Sequence, residues 1–366
     1  MMSAASQAAG GGQSPDTPVS VVIINYEGRE HLTHTLPAVD ALEGVVTEVI
    51  LVDNSSSDGS LELARELHPG ITVIEAGGNL GPAAARNLGL KAASNRWVLL
   101  LDNDVICPPE TLRVLLAAVE EEVVLVQPRS VLADSPEIVH YDGGSPHCQG
   151  LISLDNFYAP LEGAGAAITR DVDVVISLAL LADSEALEAV GGFDEDYFIL
   201  FEDLDLSWRL RTRGKRLRLA AGVCVQHRAG TAGVSFRKGP SYPARRLFFH
   251  ARNRWMFLLR NLRWRTLFLL SPVLALYELA GLGLALVSGH PLSWIEGELA
   301  VLKGLSRTAA ARRRSQAGRT LSDRELLVGG PLTPTPDAVR GVKGLFYGAL
   351  SKITCVWWSC VRWLAG

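Results

Sequence analysis

Two aspartates stand directly behind a strongly apolar segment: Asp102 and Asp104 follow the residues RWVLLL at 96–101. An apolar run of this kind predicts a buried β-strand, so both carboxylates would lie at its carboxyl end. Two bare carboxylates repel a diphosphate, and a divalent cation between them removes that repulsion. Mg²⁺ and Mn²⁺ prefer such oxygen ligands. The pattern predicts a cation-assisted site for a phosphorylated ligand, although Asp-x-Asp alone also arises by chance.

A second acidic pair, Glu202 and Asp203, stands at the start of a predicted helix. Leu204 and Trp208 recur at helical spacing, and Gly214 is placed to end the helix. The helix dipole favours the ionised form of carboxylates in the first turn. An ionised carboxylate can act as a general base toward a hydroxyl. The same spacing is compatible with a purely structural role for two first-turn acids.

A lone histidine, His227, ends the run VCVQH at residues 223–227. Histidine is a common metal ligand, but a single histidine is also often structural. Its position at a predicted strand end, after the acidic residues, makes it a candidate ligand. Both interpretations stay open.

The elements that would position these groups form an alternating pattern. Continuous apolar runs separated by helical stretches predict a parallel β-sheet that is covered on both faces. The predicted strands are residues 19–24, 47–52, 71–76 and 96–101, and the predicted helices are residues 31–42, 60–68, 83–93 and 110–122. Ligands of such sheets bind at the carboxyl ends of the strands.

Polar residues follow each of these four strands. They are Asn25-Tyr26, Asp53-Asn54-Ser55, Gly77-Gly78-Asn79 and Asp102-Asn103-Asp104. Any one of these groups could form a turn or cap a helix, because the same residue types dominate such positions. Four groups at one edge of a sheet favour a crevice that binds a nucleotide together with a metal.

Composition and charge exclude several classes of protein. The 366 residues are 48% hydrophobic and 20% charged, which excludes a mainly disordered, collagen-like or disulfide-built protein. The five cysteines form no C-x-x-C pair, which indicates a reducing compartment and no structural zinc. Residues 1–235 contain 15 Lys/Arg against 33 Asp/Glu, whereas residues 236–366 contain 20 against 6. An acidic body with a basic tail predicts two different partners.

We expect a disordered leader at 1–18, a folded domain at 19–235 and a basic, tryptophan-rich helical region at 236–366. Residues 266–289 are long and apolar enough to cross a bilayer. Basic segments flank them on both sides, against the positive-inside tendency, so in-plane helices or a hairpin are favoured over a span. A soluble helical subdomain is the alternative. Aromatic residues interleaved with basic ones favour a partner surface of anionic lipids over nucleic acid.

Several motifs occur in one order along residues 19–235. They are VVIINY at 21–26, VDNSSSDG at 52–59, NLGPAAARNLG at 79–89, LDND at 101–104, GGFDE at 191–195, FEDLD at 201–205 and, last, His227. This set resembles the family 2 glycosyltransferases and is most similar to a rhamnosyltransferase-like branch. One segment departs from the family pattern. Residues 177–184, SLALLADS, replace a Gly-Ala pair and a basic residue in a region that shapes the sugar and acceptor pocket.

The resemblance implies an α/β fold of the A-type glycosyltransferase kind, Rossmann-like with a mostly parallel mixed sheet, and here a C-terminal helical membrane-associated region follows it. It implies inverting, metal-dependent transfer of a hexose or deoxyhexose from a nucleoside-diphosphate sugar. The acceptor would be a hydroxyl of a glycan or a lipid-linked molecule. Such an enzyme would assemble cell-surface glycans as a peripheral or monotopic protein at the cytoplasmic face of the membrane.

The resemblance also implies a role for each site residue. Asp203, with Glu202 beside it, would deprotonate the acceptor hydroxyl. Asp104 and His227 would hold Mg²⁺ or Mn²⁺ at the diphosphate, and Asp102 would face the ribose or the sugar. The other expected substrate contacts are Asn25, Tyr26, Asp53 (toward the base or ribose), Asn79, Arg86, Asn103 and Trp208.

Two alternatives remain from other classes. A nucleotidyltransferase on a related sheet would need a Gly-rich start with a basic residue after the first strand, which this chain lacks. A non-catalytic membrane scaffold would not need the complete set of acids and the histidine.

Overall fold

The computed structural model describes residues 12–165, 168–228, 242–328, 330–333 and 341–366, without the side chains of 341–343. Most of the expected leader, residues 1–11, and the expected domain boundary at 235/236 lie outside the described residues. The backbone N–H of Gln13 donates to the carbonyl of Leu116, 3.1 Å away. The predicted disorder therefore does not extend to the end of the leader, because this part is bonded to the folded domain.

The strands lie almost entirely in the first two thirds of the chain. They are β1 Pro18–Asn25, β2 Val45–Asp53, β3 Thr72–Glu75, β4 Trp97–Asp102, β5 Val105–Ile106, β6 Val123–Leu132, β7 Ser135–Tyr141, β8 Gly144–His147, β9 Leu151–Leu154, β10 Thr169–Val172, β11 Ala179–Asp183 and β12 Arg216–His227. The run at 223–227, predicted to end a strand, is the last part of the longer strand β12, whose pairing with β6 shifts register between Ala220 and Cys224.

Helices alternate with the strands and then continue alone to the end of the chain. They are α1 Arg29–Asp40, α2 Ser60–Leu67, α3 Gly81–Ala92, α4 Thr111–Ala117, α5 Ser184–Ala189, α6 Glu202–Arg211, α7 Ala244–Asn261, α8 Trp264–Val287, α9 Pro291–Lys303, α10 Leu305–Gln316, α11 Asp323–Leu326 and α12 Gly341–Val361. All of the helices predicted before residue 100 are present within a few residues of their expected bounds.

The main sheet has a parallel half and a mixed half. Its order is β10-β12-β6-β11-β4-β1-β2-β3, with β5 beside β12 and β7 beside β6. Strands β3, β2, β1 and β4 are parallel, whereas β11 pairs antiparallel with both β4 and β6. Asn25 lies opposite Asp53, and Ile24 lies opposite Asp102. This register brings the carboxyl ends of β1, β2 and β4 together.

Apolar side chains fill both faces of the sheet, as the continuous apolar strands predict. Val21 and Ile23 of β1 face the core under α1, α2 and α4. Val22 and Ile24 of the same strand face a second core under α3 and α6. Because successive side chains of a strand point to opposite faces, both layers of helices are required to bury β1.

A third core joins the sheet domain to the C-terminal helices. Tyr197, Leu204 and Trp208 pack in one buried cluster with Phe257 of α7 and Trp358 of α12. Trp208 meets the ring of Phe257 edge to face at 5.6 Å between centroids. The C-terminal region therefore completes the core under α6, and it is not a separately packed tail.

Among the described helices, α8 alone is long and apolar enough, by length and composition, to cross a membrane. Only 22% of its most apolar stretch is buried in the molecule. Length and composition are weak indications of a span, because core helices of soluble proteins have the same features.

Candidate active site

The carboxyl ends of β1, β2 and β4 are tied together by side-chain amides. Asn25 Nδ2 donates to Asp53 Oδ1 at 2.8 Å and to Ser60 Oγ at 2.9 Å. Asn103 Nδ2 in turn donates to Asn25 Oδ1 at 2.8 Å. Asn25 and Asp53 are buried, whereas Tyr26 beside them is 46% exposed. Of Asn25, Asp53 and Tyr26, Tyr26 is the residue accessible to a ligand. The side-chain amides of Asn25 and Asn103 hold the backbone next to it in place.

Asp53 and Asn79 are engaged with their own loops. The Asp53 carboxylate accepts hydrogen bonds from the backbone N–H and the hydroxyl of Ser56, at 2.8 and 2.6 Å. Asn79 Oδ1 accepts from the backbone N–H of Gly81 at 3.1 Å, at the start of α3. Both residues lie at the expected edge of the sheet. In this structure their side chains hold the loops after β2 and β3. The second of these loops leads into α3, which carries Arg86.

Arg86 lies at the centre of the acidic groups. Its Nη2 donates to Asp102 Oδ1 at 2.7 Å, and its Nη1 is 3.6 Å from Glu202 Oε1. Burial alone would lower the pKa of Arg86, but the carboxylates of Asp102, Asp203 and Glu202 raise it above its ordinary value. The guanidinium therefore remains charged and partly offsets three acids.

Three buried polar atoms of Arg86 and Glu202 lack a hydrogen-bond partner among the described residues. Within the described residues, neither Nε nor Nη1 of Arg86 has a hydrogen-bond acceptor, and Glu202 Oε2 has no donor. Buried polar atoms are nearly always hydrogen-bonded in folded proteins. Unpaired donors beside an unpaired acceptor are typical of a site where a polar ligand or water supplies the missing hydrogen bonds.

Asp104 and His227 come together because β5 pairs with the end of β12. Val105 lies opposite His227 in that pairing, which leaves Asp104 Oδ2 3.2 Å from His227 Nε2. Nearby, the side chain of Asp102 is 31% exposed. Burial raises the pKa of Asp102 to about 6, Arg86 opposes this change, and Asp104 adds to it. Asp104 and His227, which were expected to hold the cation, thus lie at one rim with Asp102, which was expected to face the ribose or the sugar.

The donor set of this rim fits a hard divalent cation. Two ligands of an octahedral Mg²⁺, each about 2.1 Å from the ion and at right angles, are about 3 Å apart, close to the observed Asp104–His227 separation. In the described part of the chain, no group of three or more His, Cys, Asp or Glu forms a metal site. Mg²⁺ commonly takes only one or two protein ligands and the rest from phosphates and water.

His140 is a contact that the sequence did not indicate. Its Nδ1 lies 2.9 Å from Nδ1 of His227, on the opposite ring nitrogen from Asp104. A hydrogen bond at one ring nitrogen fixes the tautomer and therefore which nitrogen can bind a metal. His140 is in β7, in a region without a recognisable motif, so no sequence signal was available.

Glu202 and Asp203 begin α6, as the spacing predicted. Ser177 donates its hydroxyl to Asp203 Oδ1, and its backbone N–H lies 3.3 Å from Asp203 Oδ2. Burial raises the pKa of Asp203, while Arg86 and Ser177 oppose that change. Burial and the neighbouring Asp203 raise the pKa of Glu202 to about 8. With a pKa of about 8, Glu202 is mainly protonated near neutral pH.

One expectation from the sequence, the substrate contact of Trp208, changes at this point. Trp208 has no exposed surface and packs against Phe257 and Arg319, so we correct its expected contact with substrate to a core position. Ser177 belongs to the segment that departs from the family pattern, and it is the residue that holds Asp203. A helical pattern alone does not tell which face of α6 meets the ligand, because α6 is buried on nearly all sides.

Comparisons with known proteins indicate which family this chain resembles. Residues 20–162 match the family model "Glycosyl transferase family 2". The succinoglycan biosynthesis protein ExoO of Rhizobium meliloti is 30% identical over 128 residues, which cover 35% of each chain. The N-acetylglucosaminyl-diphospho-decaprenol L-rhamnosyltransferase of Mycobacterium tuberculosis is 27% identical over 273 residues, which cover 65% of this chain and 83% of that protein.

A solved structure supports the fold. The crystal structure of GalNAc-T7 with UDP, GalNAc and Mn²⁺ superposes with a TM-score of 0.50 and 16% identity, over 66% of this chain and half of the other. The chain spans about a third of the length of ExoO and half of GalNAc-T7. The predicted A-type fold and family resemblance are both confirmed. The family match over residues 20–162, together with the strand-end acids in that range, makes this part of the chain similar to the family 2 glycosyl transferases.

Proposed function

We propose that this protein is an inverting, metal-dependent glycosyltransferase that moves a hexosyl or deoxyhexosyl group from a nucleoside-diphosphate sugar. The acceptor is a hydroxyl of a glycan or lipid-linked molecule in cell-surface glycan assembly. The observation that carries this proposal is the convergence of two acidic sets on Arg86: Asp102 lies 2.7 Å from it, and Glu202 lies 3.6 Å away. The M. tuberculosis relative is named for a decaprenol-linked acceptor, which favours the same class here.

The electrostatics of the site suit a diphosphate that leaves as an anion. When bound by Asp104 and His227, Mg²⁺ or Mn²⁺ would neutralise the charge that develops on that leaving group. On the helix side, Asp203 accepts the proton of the acceptor hydroxyl as its oxygen attacks the anomeric carbon. A single displacement inverts that carbon. Glu202 keeps its own proton near neutral pH, and so it does not compete for the acceptor proton.

The C-terminal helices supply a surface that suits the membrane interface. Large apolar side chains point to solvent from α8, α9 and α12, among them Phe268, which is 79% exposed, with Leu286, Leu292, Leu302, Leu345 and Val356. Exposed basic residues accompany them at Lys303, Arg307, Lys352 and Arg362. An apolar groove of about 550 Å³ lies between α7 and α8, lined by Trp255 and Trp264 among others. Apolar burial with basic residues at anionic lipid is typical of monotopic attachment.

We therefore expect Phe268→Asp to weaken binding to vesicles containing anionic lipid by at least about fivefold, because a charge replaces apolar surface that enters the interface. Co-sedimentation with phosphatidylglycerol vesicles measures this. The matched control is Ile168→Asp, since Ile168 is 64% exposed on the sheet domain and should leave vesicle binding unchanged. Equal losses in both variants, or no loss in either, would contradict monotopic attachment through α8.

The activity itself is tested by incubating the full chain with UDP-, GDP- and dTDP-sugars, Mn²⁺ and membrane lipid extract. We expect one donor class to release nucleoside diphosphate, and EDTA to stop the release. Release of pyrophosphate from a nucleoside triphosphate and a sugar phosphate would instead indicate the nucleotidyltransferase. A folded protein that turns over no donor would favour the scaffold.

A further inference from the structure

The segment that leads into α6 has an unusual backbone. Phe198 has φ 65° and ψ −68°, and the N–H of Ile199 bonds the carbonyl of Tyr197 at 2.8 Å, which together form a tight γ-turn. Leu200 and Phe201 also have positive φ, at 69° and 74°. Residues other than glycine adopt such conformations only when their surroundings hold them there. The strained segment ends immediately before the two helix-start acids.

Helix α7 holds this segment through two neighbouring side chains. Asn253 Nδ2 lies within hydrogen-bond distance of three carbonyls, those of Tyr197 (3.0 Å), Ile199 (2.9 Å) and Leu200 (2.8 Å). Arg252 Nη2 donates to the carbonyls of Asp196 (2.9 Å) and Tyr197 (2.8 Å). These donors satisfy the carbonyls of Asp196, Ile199 and Leu200. They also add bonds to the carbonyl of Tyr197, which already accepts from Ile199 within the turn.

Other contacts restrict the segment from both sides. The Phe198 ring stacks on Phe249 of α7, with 5.3 Å between centroids and 6° between planes. On the opposite side, the Phe198 carbonyl would lie only 2.5 Å from a Cβ at Gly81, the first residue of α3. Arg260 of α7 pairs with Asp194 and Asp196 at 2.5 and 2.7 Å. The segment is thus held between α7 and the helix that carries Arg86.

We infer that Arg252 and Asn253 are positioning residues for the acidic pair at the start of α6: they keep residues 196–201 in the strained form that places Glu202 and Asp203 beside Arg86. This inference rests on the proposed function for its catalytic meaning. It gives the basic C-terminal region a second role, because α7 lies in that region and positions the acids through residues 196–201. One region of the chain then has both roles: α8, α9 and α12 supply the proposed membrane surface, and α7 positions the acids.

The test is Asn253→Asp, which keeps the side-chain volume and removes both N–H donors of the side-chain amide. We expect kcat for transfer to fall at least about tenfold, while KM for the donor stays within about twofold. Peptides covering residues 195–203 should exchange amide hydrogen faster than in the wild type. The matched control is Asn95→Asp, because Asn95 Nδ2 donates to Ser20 and Thr47 hydroxyls at the amino end of the sheet. Asn95→Asp should change neither kcat nor the amide exchange of residues 195–203.

Wild-type kcat and wild-type exchange in Asn253→Asp would overturn the inference, and so would equal losses in kcat and donor affinity. If that variant does not fold, Arg252→Gln takes its place, since Arg252 is only half-buried, with the same expected and contradicting results. If the wild type transfers no sugar, the proposed function fails. The exchange measurement then still decides, without any activity, whether α7 holds the segment.

Discussion

Replacing Asp203 by asparagine is expected to lower the rate of sugar transfer by at least about a hundredfold, which is the contribution of a well-placed general base. Donor affinity should stay within about twofold, because the proposed mechanism uses this carboxylate on the acceptor side, where Ser177 holds it. Single-turnover transfer with the donor identified in the panel measures the rate, and calorimetry with its nucleoside diphosphate measures the affinity. Normal turnover in Asp203→Asn would remove this residue from the base role.

The neighbouring acid is the matched control for this prediction. Glu202, whose pKa is raised to about 8 by burial and by Asp203, is mainly protonated at pH 7. Glu202→Gln therefore mimics the wild-type state and should lose less than about tenfold. A larger loss than in Asp203→Asn would exchange the two assignments.

The pH dependence follows from the same pair. The base works deprotonated, so transfer rises with pH through the pKa of Asp203, which burial raises above its ordinary value. Ser177→Ala removes a hydrogen bond that favours the ionised form, so it should move this rising limb to higher pH.

Removing the cation ligands should have an effect of similar size. Asp104→Ala and His227→Ala are each expected to lower transfer at least about a hundredfold, since a bound cation contributes several kcal/mol to the stabilisation of a leaving anion. Mn²⁺ binding, followed by electron paramagnetic resonance in the presence of the nucleoside diphosphate, should weaken in the same variants. EDTA should abolish wild-type transfer, and added Mn²⁺ should restore it.

A second His–Asp pair on the surface gives the control. His68 Nδ1 lies 2.7 Å from Asp40 Oδ1, at the carboxyl end of α2 and away from the strand-end crevice. His68→Ala should leave transfer and Mn²⁺ binding unchanged. Wild-type Mn²⁺ binding in His227→Ala, or full transfer in EDTA, would exclude the proposed cation site.

Local patterns account for much of the sheet domain. The four apolar runs became β1 to β4 and the helical stretches between them became α1 to α3, because period and composition act over a few residues at a time. Their strand-end residues share one edge because parallel strands end together. The motifs in order along the chain were sufficient for the family. Asp102, Asp104, Glu202, Asp203 and His227 could therefore all be named in advance.

The partners of these residues depended on the tertiary structure. Asp203 is held by Ser177, 26 residues before it, and His227 is contacted by His140, 87 residues before it. The carbonyl of Leu200 accepts from Asn253, 53 residues after it. No local pattern connects positions so far apart. The insertion of β11, antiparallel, between β4 and β6 is likewise a non-local pairing.

The sequence by itself thus determined which side chains are candidates for the proposed transfer, since residue type and strand or helix ends are local properties. Folding in three dimensions decided which of them face the crevice. Trp208 has the same helical spacing whether it meets a ligand or the core, and only the packing of α7 and α12 over α6 made it a core residue. The same packing placed Asn253 against the segment before Glu202, because burial of a shared apolar core holds α7 beside the start of α6.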